Sequence, residues 1–195
     1  MASIEEEAKL IACARRGDLM AFEALYDMHK GPIYRTALAI IGDRLAAEEI
    51  LQETFLRAFK HIHNVRDGVS LSPWLYRITV NLAYDYGKAN SRNWQVALDG
   101  IIEHLMAPAS ASPEHAVEER ELFELVYEAI DRLEFKQRIT LVLFYLHDFS
   151  LSEIAEIMDC PEGTVKSRLY YAREKLRCEL LADRRLPVSL AYECT

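Results

Sequence analysis

The stretch of sequence that decides the fold runs from residue 150 to residue 177 and reads SLSEIAEIMDCPEGTVKSRLYYAREKLR. Apolar residues recur in it at the three- and four-residue spacing of one helical face, first before Asp159 and again after Gly163. These residues are Leu151, Ile154, Ala155 and Met158, and then Val165, Leu169, Ala172 and Leu176. Between the two sets, Pro161 disfavours helical backbone at Cys160 but suits the first turn of a new helix. Two helices separated by such a break form the helix-turn-helix pattern.

The second helix of this pattern is rich in cations. Residues 163–177 contain five Lys or Arg and one acid, although the whole chain has a formal net charge of −8. A cationic helix is typical of contact with DNA phosphates and base edges, whereas the alternative is a solvated helix end, where cations are also favoured. Motif and local charge coincide here, so we favour DNA. The candidate contacts are Thr164, Lys166, Ser167, Arg168, Tyr170 and Tyr171.

Residues 153–177, EIAEIMDCPEGTVKSRLYYAREKLR, resemble the promoter-reading domain of the extracytoplasmic-function (ECF) sigma factors of bacterial RNA polymerase. The resemblance rests above all on GTVKSR followed by AREKL, and Tyr171 departs from it because the family often has Arg there. It implies that the helix enters the major groove of the minus-35 element. Lys166 and Arg168 would then contact phosphate or guanine, Ser167 would add a hydrogen bond, and a tyrosine would contact sugar-phosphate or a thymine methyl.

Composition limits the class of protein. With 195 residues, 51% of them hydrophobic and 28% charged, the chain can bury one core or two small ones. It has no run of eighteen apolar residues and opens with acids, so we expect neither membrane insertion nor a secretory signal. Its four cysteines lack a CxxC pair and are typical of reduced thiols in a cytoplasmic protein.

The first part of the chain predicts three amphipathic helices. The first spans residues 3–16, and Gly17-Asp18 ends it and caps the second, which Gly31-Pro32 should break or bend. After Gly42-Asp43, a third helix runs to about Lys60, with Ala47, Leu51, Phe55 and Ala58 or Phe59 as its core face. Residues 14–26, ARRGDLMAFEALY, match a signature of the same family.

The outer face of the third helix has two interpretations. From its charges alone it is a solvated face with one exposed Leu. However, residues 48–60, EEILQETFLRAFK, resemble the family's segment that docks on the clamp helices of RNA polymerase's largest subunit. The resemblance implies that the docking residues are Glu49, Gln52, Glu53 and Leu56.

The loop at residues 61–71 and the helix after it carry the expected minus-10 contacts. His61 and His63 alone are a weak metal signal, and we expect no metal site. In the family this loop captures a flipped promoter base, which makes Asn64, Arg66 and Asp67 the candidate readers. A fourth helix starts at Ser72-Pro73 with Leu75, Ile78 and Leu82 as its buried stripe.

Beside that stripe runs a mixed aromatic and basic face, formed by Trp74, Arg77, Asn81, Tyr84 and Lys88. Such a face suits unstacked bases and phosphates of single-stranded DNA, although Trp74 could equally be a core residue. Residues 74–85, WLYRITVNLAYD, resemble the family's strand-melting helix, in which the position of Asn81 contacts the non-template strand.

These patterns predict an all-α protein made of two small helical domains and a flexible acidic linker, the second domain ending in the helix-turn-helix. We assign residues 1–92 to promoter melting and polymerase docking, 93–113 to the linker, 114–183 to minus-35 binding and 184–195 to a tail. The resemblance implies a cytoplasmic sigma factor whose partners are core RNA polymerase, promoter DNA and an anti-sigma factor.

Two other functions remain open, namely a sigma-like protein that titrates an anti-sigma factor and a free-standing helix-turn-helix regulator. The sequence lacks a Gly-rich phosphate loop, HExxH and GxSxG. We therefore expect no enzyme activity, no cofactor and no small-molecule substrate.

Overall fold

The structure, a computed structural model, describes residues 4–65, 70–89, 125–183 and 185. In these residues every regular element is a helix, as the sequence predicts. The first half contains α1 (Ile4–Ala14), α2 (Leu19–Ile41), α3 (Arg44–His61), a 3-10 turn (Ile62–Asn64) and α4 (Ser72–Ala89). The second half contains α5 (residues 125–131), α6 (Phe135–His147), α7 (Leu151–Ile157) and α8 (Glu162–Ala182).

The predicted junctions between the first three helices are confirmed by their caps. The Asp18 carboxylate accepts hydrogen bonds from the backbone N–H groups of Met20 and Ala21, at 3.0 and 3.2 Å. Gly42 ends α2 with a φ of 74°, a left-handed conformation that glycine adopts without strain, and Asp43 then caps α3 through Ala46 N–H at 2.9 Å. At both junctions, the end of one helix is therefore followed directly by the N-cap residue of the next.

Of the predicted break or bend at Gly31-Pro32, the break is wrong, because α2 is one continuous helix of 23 residues with Pro32 inside it. A proline removes one backbone N–H and crowds the Cβ of the residue before it, but Gly31 has no Cβ. Ile33 and Leu38, both fully buried, fix the helix to the core beyond the proline. Tertiary packing here outweighs a local helix breaker.

The buried stripe of α4 is broader than predicted and lies partly on other residues. Leu75 is buried as expected, but Ile78 and Leu82 are only partly buried. The remaining fully buried positions are Tyr76, Thr79, Val80 and Ala83. The reason is that α4 packs against α2 and α3 on one side and against α6 and α7 on the other. A helix between two layers buries more of its circumference than an amphipathic surface helix.

The helix-turn-helix has the predicted form. Ser150 and Glu153 form a capping box at the start of α7, and Asp159 adopts a φ of 49° in the turn. The Cys160 N–H then donates to the Ala155 carbonyl oxygen at 3.0 Å, and α8 begins directly after Pro161. Ile154, Val165 and Leu169 are buried where the two helices cross.

The two halves of the chain pack against each other, which the sequence did not predict. One hydrophobic core joins residues of α1 to α4 with residues of α6, α7 and α8, including Ile139, Leu143 and Ile154. A smaller cluster around Leu133, Leu141 and Ala172 belongs to the second half alone. The predicted linker, residues 93–113, lies outside the described residues, as does the tail from residue 186.

Candidate nucleic-acid interface

The outward face of α8 carries most of the candidate minus-35 contacts. Val165, Leu169 and Ala172 are buried, so the residues between them point away from the core. Lys166 and Ser167 are exposed, and Tyr170 and Tyr171 are 60% and 59% exposed. Thr164 and Arg168 are only half-buried. The helix thus presents a cation and two aromatic rings together, a surface suited to phosphate and to base or sugar contact.

The polar contacts on this face separate its residues into two kinds. Lys166 Nζ lies 2.9 Å from Glu162 Oε1, one turn earlier in α8, and the pair is exposed. Arg168 Nη1 donates to Cys160 Sγ at 3.4 Å and so connects α8 to the turn before it. Ser167 Oγ donates to the Thr164 carbonyl oxygen at 3.0 Å. Lys166 is therefore the more available of the two cations for contact with a ligand, whereas Arg168 also connects α8 to the turn of the helix-turn-helix.

Arg173 extends the same surface and was not among the predicted contacts. Its Nε donates to Tyr145 Oη at 2.7 Å, and its guanidinium lies 5.4 Å from the ring centroids of Phe144 and Tyr145. Lys166, Tyr170 and Arg173 follow one another at spacings of four and three, which is the signal that could have identified it.

The mixed face of α4 is present, with each residue in a different environment. Arg77, Asn81 and Lys88 are exposed, whereas Trp74 and Tyr84 are half-buried. Lys88 Nζ lies 4.6 Å from the centroid of the Tyr84 ring, a cation–π distance. Trp74 packs on the edge of the main core, so it is neither fully core nor free for stacking. The exposed members offer two cations and an amide along one helix.

A cleft of about 250 Å³ lies at the start of this face. Asn64, Trp74 and Arg77 line it together with Val65, Ser70 and Pro73 from the first half. Glu156 and Ile157, from α7, complete the wall. Of the three predicted base readers, Asn64 is in the cleft, and Arg66 and Asp67 lie outside the described residues.

The wall that α7 contributes is acidic. Arg77 Nη2 lies 3.5 Å from the Asp159 carboxylate in the turn of the helix-turn-helix. Glu156 is exposed at the rim of the cleft. Two carboxylates, those of Asp159 and Glu156, therefore lie beside the first-half residues of the cleft.

The predicted docking face of α3 is outward-facing. Glu49 and Gln52 are exposed, Leu56 is 53% exposed, and Glu53 Oε1 accepts from Arg57 Nε at 2.7 Å. Sequence reasoning missed Leu45, which is 74% exposed at the start of the same stripe. Leu45, Glu49, Gln52 and Leu56 follow at spacings of four, three and four, so they share one face.

The alternative core assignment of Phe59 is wrong. Ala58 is the fully buried member of that pair, and Phe59 is 47% exposed with its ring 5.0 Å from that of Phe22. The aromatic ring thus adds to the apolar area of the first half's surface.

The described residues contain no group of three or more side chains that could hold a metal ion. The rings of His61 and His63 lie 6.2 Å apart, between centroids. Among the described helices, none combines the length and the apolar character that crossing a bilayer requires.

Comparison with known proteins finds the same two regions that the sequence singles out. The family model for sigma-70 region 2 matches residues 25–93, and that for sigma-70 region 4 matches residues 123–176. The ECF RNA polymerase sigma factor SigW of Bacillus subtilis (strain 168) is 34% identical over 178 residues, which is 88% of this chain and 95% of SigW. The ECF sigma-E factor of Escherichia coli (strain K12) is 31% identical, over 86% of this chain and 90% of that protein.

Two solved structures share the fold. CnrH, in complex with the cytosolic domain of CnrY, superposes with a TM-score of 0.67 at 21% identity, covering 91% of this chain and 98% of CnrH. The sigma factor RpoE of Bartonella quintana, in complex with the anti-sigma factor NepR, gives a TM-score of 0.61 at 22% identity, covering 84% and 98%. The sequence relatives span nearly the whole chain at 30% identity or more. The chain therefore belongs to the ECF sigma factors, which bind core RNA polymerase and direct it to promoters.

Proposed function

We propose that the two halves of the chain divide promoter recognition between them. Residues 1–92 dock on core RNA polymerase and separate the minus-10 strands, and residues 114–183 read the minus-35 element. The observation that carries this proposal is the outward face of α8, where Lys166, Tyr170 and Tyr171 are exposed on an otherwise acidic chain. A positive helix on a chain of charge −8 indicates a local DNA contact made within a larger assembly.

The minus-35 contacts in this proposal are Thr164, Lys166, Ser167, Arg168, Tyr170 and Tyr171, with Arg173 added by its position on the same face. Lys166 and Arg173 contact phosphates and thereby fix the position of α8 along the DNA, and Ser167 contacts a base edge. The tyrosines contact sugar-phosphate or a thymine methyl. Their exposure supports this assignment.

The minus-10 contacts are Asn64, Trp74, Arg77, Asn81, Tyr84 and Lys88, and Arg66 joins them on sequence alone. The position of the Trp74 ring beside Asn64 supports capture of a base, because an aromatic side chain can stack on an unpaired base. Arg77 and Lys88 follow the backbone of the displaced strand.

The docking surface is the α3 face formed by Glu49, Gln52, Glu53 and Leu56. An exposed apolar side chain flanked by polar ones is the arrangement that a protein interface buries. The negative net charge of the chain supports the same view, because such a chain binds free DNA weakly and needs polymerase to bring it to the promoter.

We further propose that an anti-sigma factor controls this chain in the cytoplasm and that the chain itself has no catalytic role. Two proteins with this fold were solved in complexes, CnrH with the cytosolic domain of CnrY and RpoE with the anti-sigma factor NepR. A second candidate, a sigma-like protein that only titrates an anti-sigma factor, is favoured by Tyr171, where a basic residue is common in the family.

Run-off transcription with purified core RNA polymerase on a pool of genomic fragments tests the proposal. We expect discrete transcripts only when the protein is present, with a shared pair of elements upstream of their start sites. Binding to core polymerase without transcripts would favour the titrating function. If the protein neither bound core polymerase nor gave transcripts, a free-standing regulator would become the better hypothesis.

A further inference from the structure

The carboxylate of Glu7, in α1, lies against the start of α4. Its Oε1 accepts from the backbone N–H of Leu71 at 3.1 Å, and its Oε2 accepts from Ser70 Oγ at 3.4 Å. His29 of α2 contacts the same carboxylate, with its Nε2 3.1 Å from Oε1. The side chains of Glu7 and His29 are each only 12% exposed. One carboxylate of the first helix therefore bonds both to α2 and to the residues that lead into α4.

His29 is a neutral donor in this group. Burial lowers the pKa of its imidazole, an effect that the neighbouring Glu7 carboxylate opposes without cancelling. Because a carboxylate oxygen only accepts hydrogen bonds, the imidazole proton lies on Nε2. A buried carboxylate is costly unless donors surround it, and here a ring N–H, a backbone N–H and a hydroxyl do so. The three hydrogen bonds fix the Glu7 side chain in one position.

The bond to Leu71 replaces half of a capping box. In α6 and α7, a Gln or Glu at the third helical position accepts from the backbone N–H of the N-cap residue. α4 begins at Ser72, and the Leu71 carbonyl oxygen accepts from the Leu75 N–H at 3.0 Å, so Leu71 is the N-cap residue of α4. The third helical position is then Trp74, whose indole has no acceptor. Glu7 provides that acceptor from a position 64 residues away.

This arrangement places an aromatic ring at the start of α4. Trp74 lies beside Asn64 at the surface where the proposed function puts the minus-10 contacts. The Asn64 side of this pair is held by the core, because Ile62 and Val65 are buried and the Val65 N–H donates to the Ile62 carbonyl oxygen at 3.1 Å. The Trp74 side is held through Leu71 by Glu7. The relative position of the two side chains therefore depends on α1.

We propose that Glu7 is a positioning residue for the minus-10 strand. Through Leu71 it sets where Trp74 lies relative to Asn64, and thereby how well the chain distinguishes the base that meets these two side chains. This role rests on the proposed function of Asn64 and Trp74. α1 precedes residues 25–93, which match sigma-70 region 2, so a helix outside that match influences promoter selectivity without contacting DNA.

Hydrogen–deuterium exchange of the free, full-length protein tests whether Glu7 holds the start of α4. Glu7→Ala removes the acceptor for the Leu71 N–H, so the amides of Leu71 and Leu75 should exchange severalfold faster, as expected for a lost helix cap. Glu7→Gln keeps a side-chain oxygen for this bond, and the increase should be smaller. Glu5→Ala is the matched control, because it removes the same charge from an exposed position of α1 and should leave both amides unchanged.

Competitive transcription with the reconstituted holoenzyme tests the effect on selectivity. The templates are a promoter identified by the run-off assay and versions of it in which each minus-10 base is replaced in turn. Two templates compete in one reaction, so the ratio of their transcripts does not depend on how much of the protein is folded. Glu7→Ala should lower the largest such ratio by about fivefold, near the low end of what one base contact contributes. Glu7→Gln should restore most of it, and Glu5→Ala should match wild type.

Three results would overturn this role of Glu7. Unchanged exchange in Glu7→Ala would show that the carboxylate does not hold α4. Faster exchange with an unchanged transcript ratio would show that Glu7 supports the fold and has no part in base selection. An equal loss of selectivity in Glu5→Ala would assign the effect to the charge of α1 and not to the bond with Leu71. A wild type that gives no transcripts contradicts the proposed function instead, and the exchange rates still decide whether Glu7 holds the start of α4.

Discussion

Lys166 forms an ion pair with a glutamate one turn earlier in α8. Its ammonium lies 2.9 Å from the Glu162 carboxylate on the exposed face of α8, a contact worth only a few tenths of a kcal/mol in water. In a holoenzyme on promoter DNA, Lys166→Ala should weaken binding severalfold and reduce the slope of log K against log salt by about 1, because one phosphate contact is lost. Binding measured at several salt concentrations checks both values.

The partner of Lys166 provides the control. Glu162→Ala leaves the cation in place and removes a carboxylate that competes with phosphate, so we expect binding at least as tight as wild type. If Glu162→Ala weakened binding as much as Lys166→Ala, the pair would matter for helix stability and the phosphate contact would be wrong.

His147 of α6, bonded to Thr36 of α2 and Tyr76 of α4, gives the stability of the fold a dependence on pH. Burial, helped by the Arg35 cation and opposed by Asp148, lowers the pKa of its imidazole to about 4. Its hydroxyl partners, Thr36 and Tyr76, are neutral. In the unfolded chain the pKa of His147 lies near the ordinary 6.5, so the unfolded chain binds a proton where the folded chain does not. Stability should therefore be full above about pH 6.5 and fall as the pH drops toward 4.

Urea unfolding between pH 4 and pH 7.5 measures this loss. Allowing for solvent screening of a half-buried group, the His147 share is of the order of 1–2 kcal/mol. His147→Gln keeps an N–H for Thr36 and does not titrate, so its profile should be flatter. A remaining slope is expected from His29, because burial also lowers the pKa of that imidazole despite Glu7. Identical profiles for the two proteins would contradict the assignment.

At the residue scale, the sequence predicted the features that depend on residues a few positions apart in the chain. The caps at Asp18 and Asp43 and the outward side chains of α8 follow from spacing and turn chemistry within a few positions. The hydrogen bond between Thr36 and His147 joins residues 111 positions apart, and no local pattern encodes such a pairing. The sequence indicated which side chains could bind DNA, but not that Arg77 pairs with Asp159 of the second half.

The helix α3 carries the surface that we propose for docking on polymerase. Its exposed stripe holds Leu45 and Leu56 on either side of Glu49 and Gln52. Leu56→Asp places a charge where the proposal buries an apolar group, so core polymerase binding should fall about tenfold or more, or at least ~1.4 kcal/mol. Leu45→Asp should have a smaller effect of the same sign because it lies at the end of the stripe.

The control for α3 is Leu181→Asp, the same substitution at a leucine that is also partly exposed but lies at the end of α8. All three variants should keep the wild-type unfolding midpoint within experimental error, since exposed leucines contribute little to folding. Pull-down or fluorescence titration with core polymerase distinguishes them. Equal losses for Leu181→Asp and Leu56→Asp would remove the reason to place the docking surface on α3.

The helices that bury a single face against one core were predicted well. The end of α3 and the start of α8 agree with the sequence pattern. The two corrections, the continuous α2 and the wider buried arc of α4, share a physical cause. Both helices lie between the halves of the molecule, so packing on a second side overrides Pro32 and buries positions such as Val80 that a one-sided pattern leaves out.

At the scale of the whole molecule, the shared core predicts cooperative unfolding. Two domains joined only by a linker unfold separately, whereas halves that share a core lose each other's burial when either unfolds. Differential scanning calorimetry of the full chain should therefore show one transition, with calorimetric and van't Hoff enthalpies in agreement.

Phe135→Ala should divide that transition in two. The Phe135 ring fills the space beside Gly87 and lies 5.9 Å from the Tyr84 ring, so its removal leaves a cavity between the halves at a cost of about 2–4 kcal/mol. Leu176→Ala is the matched control because Leu176 packs in the small cluster of the second half alone. It should lower the transition temperature without dividing the peak. Two transitions already present in wild type would show that the halves fold independently and that the shared core does not make their unfolding cooperative.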